Sequence, residues 1–138
     1  MDTNFMLAIL ALFCGGITAF FSKVAGENQL YSPSYMIVQA ISFVVFAVVI
    51  HFIERHPFEI TGKTIGIGLI SGLFAGVATI SSLIAFTRGG QGSILFPVVS
   101  LGVVVSVGLS FVFYNEPITT TKVIGIGLGV GSILILSR

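Results

Sequence analysis

Charge is what this sequence has least of. Asp, Glu, Lys and Arg make up 8% of its 138 residues, about a third of the roughly 25% found in soluble domains. Together with 55% apolar residues and a mean hydropathy of +1.12, this rules out a soluble fold. Six basic against five acidic residues give a net charge of +1 and no basic patch, so nucleic acid is not expected as a partner. The one cysteine, Cys14, cannot form an internal disulfide and reads as a small buried apolar side chain. No second thiol or histidine cluster stands at metal-ligand spacing, so neither a metal nor another cofactor is expected. Gly66 to Ser71 misses the last glycine of a dinucleotide fingerprint, and no phosphate-binding loop is present. There is no carboxylate pair for acid–base work and no His or Cys near a base, which excludes an enzyme.

What the sequence does have is long neutral runs. A charge at mid-membrane is costly, and the charged residues here divide the chain into five uncharged stretches. These are Thr3–Ser22, Asn28–Ile53, Thr64–Thr87, Gly89–Asn115 and Val123–Ser137. The first four reach the roughly 20 residues that span ~30 Å of hydrocarbon. The fifth has only fifteen residues, but extending it back to Thr119 lets Lys122 snorkel to the interface and restores a spanning length. The expected fold is an all-α membrane protein of five transmembrane helices near 3–24, 33–53, 64–87, 92–114 and 119–137.

The connections carry turn-forming residues: Gly26 to Pro33, Glu54 to Lys63, Arg88 to Gly92, and Asn115-Glu116-Pro117. A β-barrel would need segments of about ten residues alternating apolar with polar, and these are absent. Asp2 stands where a secretory signal would carry positive charge, so the first stretch reads as a retained span.

With an odd number of spans the termini lie on opposite sides. Arg55, Lys63 and Lys122 then fall on the amino-terminal side and Lys23, Arg88 and Arg138 on the other. A protein of fixed orientation concentrates Lys and Arg in its cytoplasmic loops, and this one has no bias. Either short loops hold few charges by chance, or the chain inserts both ways and pairs with an inverted copy of itself. The second reading has a use, because many transporters are two inverted halves with a substrate site at their interface. The expected partners are the lipid bilayer, a small-molecule substrate, and a second antiparallel copy or an opposite-orientation paralogue.

Ser81 to Thr87, Gly92 to Ser100, Tyr114-Asn115-Glu116-Pro117 and Gly125 to Val130 occur in an order that resembles the second part of an EamA-like domain of the drug/metabolite transporter superfamily. Phe21 to Ala25 and Ser32-Pro33 resemble the end of the first helix and the first turn of the same domain. The resemblance implies a single EamA-like transmembrane domain over 1–138. Family members typically carry two such domains as inverted repeats and move metabolites, amino acids, nucleotide sugars or drugs. One domain therefore implies one half of a secondary transporter working by alternating access, in a bacterial or archaeal cytoplasmic membrane. The chain is also similar in size to small multidrug resistance proteins, but those have four spans and a glutamate in the first, and Thr3–Ser22 holds no carboxylate. The alternatives are a non-transporting membrane subunit that stabilises a partner complex and a lipid-linked sugar flippase subunit.

Helical spacing gathers small and polar residues into stripes: Ala11, Gly15, Thr18 and Ser22; Gly68, Gly72, Ala75, Thr79 and Ser82; Ser93, Pro97, Ser100, Val107, Ser110 and Tyr114. Such stripes line a path or seat neighbouring helices, and for any single Ser or Thr packing is the commoner role. Gln39 is the strongest substrate-binding candidate, with Tyr35 and Ser42 a turn either side, because an unpaired amide in hydrocarbon costs several kcal/mol. Thr18, Ser42, Thr79, Ser82, Ser100 and Tyr114 complete the candidate set. Gly68, Gly72, Gly76, Gly125 and Gly129 match the close-packing motif and are expected at helix or dimer contacts. The short linker Arg88 to Gly92 favours Pro97 as a helix-start proline over a kinking one. Lys23 and His51 read as interfacial anchors, and Glu116 as a charge at the amino end of the last helix.

Overall fold

The computed structural model describes residues 2–114 and 119–136. Among them every regular element is helical: α1 Thr3–Glu27, α2 Ser32–Glu54, α3 Gly62–Thr87, α4 Gly92–Ser100, α5 Gly102–Tyr114 and α6 Thr120–Leu136. Among the described residues four stretches are long and apolar enough to cross a bilayer: α1, α2, α3, and α4 with α5 taken together. α6 runs for 17 residues. Two compact units are present, Met1–Gly89 with α1 to α3 and Gly90–Arg138 with α4 to α6.

The helix ends follow local chemistry. Thr61 caps α3 by accepting from the Thr64 backbone N–H at 3.2 Å. Pro33 sits in the first turn of α2, where a missing N–H costs nothing. α1 stops in a Schellman turn. Gln29 takes a left-handed conformation at φ 54°, its N–H donates to the Gly26 carbonyl at 3.0 Å, and the Leu30 N–H reaches the Ala25 carbonyl at 3.1 Å. α3 ends similarly, with Gly89 at φ 84° donating to the Phe86 carbonyl at 2.9 Å.

In unit 1, α1 and α2 both pack on α3. Its buried residues are few and all lie near the carboxyl ends of α1 and α3: Ser22, Ala25, Gly26, Leu83 and Phe86. The two ends are tied further by Gln29 Nε2, which donates to the Thr87 carbonyl at 3.3 Å. α2 buries no residue, and Phe43, Phe46 and Phe52 stand exposed along it. For a chain in water such a face would be untenable, whereas a lipid-facing helix is apolar all round.

In unit 2, α4 packs against α6 and α5. The expected single helix over 92–114 is interrupted at Leu101. Its N–H still reaches the Pro97 carbonyl at 3.2 Å, but the Val104 N–H closes a tighter turn onto the Leu101 carbonyl at 2.8 Å. Pro97 is the sixth residue of α4, so the helix-start reading is corrected: it lies inside the helix. There it cannot donate to the carbonyl one turn back, and Gly102 follows with no side chain to favour helical backbone, a pairing that accounts for the break.

Candidate solute-facing site

Polar side chains inside the apolar helices are mostly committed to their own backbone. Thr18 Oγ1 donates to the Cys14 carbonyl at 2.9 Å. Ser42 donates to Val38 at 3.1 Å, Ser82 to Ala78 at 2.9 Å and Ser100 to Phe96 at 2.8 Å. Each bond spans one helical turn and satisfies the hydroxyl proton without any neighbour. These four residues can therefore offer a solute acceptor lone pairs but no proton.

Gln39 differs. It is half-buried, and its amide makes no hydrogen bond among the described residues. Both of its N–H donors and its carbonyl stay available, which makes it the most versatile polar group within any apolar run. The half-buried Thr79 hydroxyl and the exposed Tyr114 hydroxyl are likewise without a hydrogen-bond partner.

The geometry around Gln39 is set by the α2–α3 crossing. A methyl group placed on Gly76 would lie 3.5 Å from Met36 Cε, so the two helices meet there. The connection Arg55 to Thr61 is too short to return along the ~34 Å of α2, so the helices run antiparallel. Gln39, one turn beyond Met36, then lies toward Gly72, where nothing occupies the space within 4 Å of a Cβ position. Thr79 lies on the other side of the crossing. No hydrogen bond joins any two of the seven candidate residues. Ser100 and Tyr114 belong to unit 2 and the other five to unit 1.

Among the expected packing glycines, Gly129 has Leu101 Cδ2 at 3.4 Å from its Cβ position and Gly76 has Met36. Gly68, Gly72 and Gly125 meet nothing within 4 Å. The closest approach falls on Gly26, where an added Cβ would overlap the Cβ of Phe86. Sequence reading placed Gly26 in a linker and missed this role, although Ser22, Ala25 and Gly26 stand at helical spacing.

Lys23 pairs with Glu27 at 3.2 Å. The His51 ring meets Phe58 edge-on at 5.4 Å between centroids, so the α2–α3 connection folds back over the end of α2. Cys14 is exposed, which corrects the expectation of a buried side chain. Leu10 and Ile17, one turn either side on the same helix face, are exposed as well, so local packing gives it little cover. Glu116 lies outside the described residues.

No solved structure matches the chain. An uncharacterised protein of Methanocaldococcus jannaschii is 28% identical over 138 residues, covering 99% of this chain and 98% of that relative. The profile of the EamA-like transporter family matches residues 3–138, the span that holds every helix described above. With apolar helices of spanning length and so little core of its own, this is an integral, multi-pass membrane protein, and it belongs to the EamA-like transporter family.

Proposed function

We propose that this chain is half of a secondary transporter, moving a small organic solute by alternating access between two five-helix units. The observation that carries this reading is family membership across residues 3–138, nearly the whole of the chain. Two further features support it. The amide of Gln39 is unpaired inside an apolar helix, beside open space at Gly72. The even division of Lys and Arg suits a chain that inserts in both orientations and meets an antiparallel copy, with an opposite-orientation paralogue filling the same place if insertion is one-way. In such a pair the site would sit near the midplane, with Gln39 orienting the solute and the Thr and Ser hydroxyls accepting from its donor groups.

The test is flux by the purified protein alone. A screen of solutes for a concentration-dependent rise in melting temperature of the detergent-purified protein supplies the ligand. That solute should then cross liposome membranes containing the protein and no other component. No flux alone, with another protein co-purifying, would instead identify a non-transporting subunit.

A further inference from the structure

Unit 2 carries a groove whose lining includes none of the seven candidate solute-binding residues. Val107 and Ser110 of α5 and Lys122, Gly125 and Ile126 of α6 line a cavity of about 360 Å³. Its wall is graded from charged to apolar. Lys122 is in the first turn of α6, at the end where that helix enters the apolar layer, and Ile126 lies one turn deeper. Gly125 leaves the floor open, with nothing within 4 Å of its Cβ position. Ser110 keeps its proton for a ligand: Ser106, one turn earlier, donates to the Gly102 carbonyl at 3.2 Å, while the Ser110 hydroxyl makes no hydrogen bond among the described residues. Among the described residues no carboxylate lines the cavity, and the first turn of α6 holds no acidic residue. The amino end of α6 adds its own partial positive charge.

A cation and a hydroxyl at the rim, with an apolar floor below, match a molecule that has an anionic head and a hydrocarbon tail. We propose that this groove binds one anionic glycerophospholipid. Its phosphate meets Lys122 and Ser110, and the first methylenes of an acyl chain lie along Val107, Gly125 and Ile126. A lysine ammonium carries three donors, enough to serve a phosphate oxygen alongside another acceptor. Basic pockets between helices at membrane interfaces recognise lipid headgroups through this combination of charge and depth. The site is built from unit 2 alone, whereas Gln39 belongs to unit 1, and it does not depend on the chain being a transporter.

The full chain in neutral detergent is titrated with phosphatidylglycerol, phosphatidylcholine and inorganic phosphate, and melting temperature and native-mass lipid adducts are read. Wild type should show a saturable rise and a single retained adduct with phosphatidylglycerol, neither with phosphatidylcholine, and no rise with inorganic phosphate. Lys122→Gln should weaken the phosphatidylglycerol response about fivefold. Gly125→Leu should abolish the adduct by filling the groove, and Ser110→Ala gives a milder loss that leaves packing intact. Equal responses to the two lipids, or an unchanged response in both Lys122→Gln and Ser110→Ala, would overturn the proposal. A rise with inorganic phosphate equal to that with phosphatidylglycerol would also overturn it, by showing a bare anion site.

Discussion

Gly26 of α1 sits so close to Phe86 of α3 that no residue with a Cβ fits at that position without one helix moving. The obstacle is the Cβ of Phe86, which every residue except glycine shares. This yields a specific pattern. Gly26→Ala should destabilise the detergent-purified protein by about 1–3 kcal/mol, the usual cost of overpacking. Phe86→Ala in the same chain should not relieve it, and Phe86→Gly should relieve part of it, read as a positive coupling in a double-mutant melting cycle. If Gly26→Ala melts with wild type, α1 and α3 do not meet at this point.

Gln39 carries the transport reading at the level of one side chain. Gln39→Ala should leave expression and melting temperature within about 0.5 kcal/mol of wild type, since no bond is broken on removing an amide that has no partner. Transport of the solute found by stabilisation screening should fall about tenfold or more, the consequence of losing one buried polar contact to a ligand. Unchanged flux removes Gln39 from the site. A large loss of stability would instead make it a helix–helix contact.

The break at Leu101 stands between two spans of helix with no charge in them, and it rests on Pro97 and Gly102 together. Gly102→Ala should extend regular helix through the break and slow amide exchange of Leu101 to Val104, with a gain of about 1 kcal/mol from helix propensity. If the break serves movement between two states, the same variant should slow solute flux while raising the melting temperature. Unchanged exchange in the variant would show that Pro97 alone sets the break.

The all-helical fold was readable because charge marks the ends of apolar runs, and a bilayer tolerates few other arrangements. The termini of α1 to α3 fall within a few residues of where Lys23, Glu54, Lys63 and Arg88 place them. Gly26 against Phe86 was not readable in the same way. Local pattern makes Gly26 a turn residue, and nothing nearby in sequence announces a partner on a helix two elements later. Pro97 was misplaced for a related reason: the linker before it, Arg88 to Gly92, is so short that α4 begins at Gly92 and the proline falls in its second turn. As to the site, residue type singled out Gln39, but that Thr18, Ser42, Ser82 and Ser100 spend their protons on their own helices emerges only from side-chain geometry.

The even split of basic residues makes orientation the most exposed part of the reading. If the chain inserts both ways, carboxyl-terminal fusions to a reporter active only in the cytoplasm and to one active only outside should both give signal. Adding two lysines to the connection between α2 and α3 should then silence one of them, because Lys and Arg in short loops direct insertion. The bias should also cost transport, since molecules of one orientation cannot form an antiparallel pair with each other. Co-expressing a second copy with two lysines added instead at Gly90 and Gln91, on the opposite side of the membrane by the span arithmetic, should restore it. Reporter signal from one face only in the unmodified chain would reject the antiparallel homodimer and leave a paralogue of opposite orientation as the required partner.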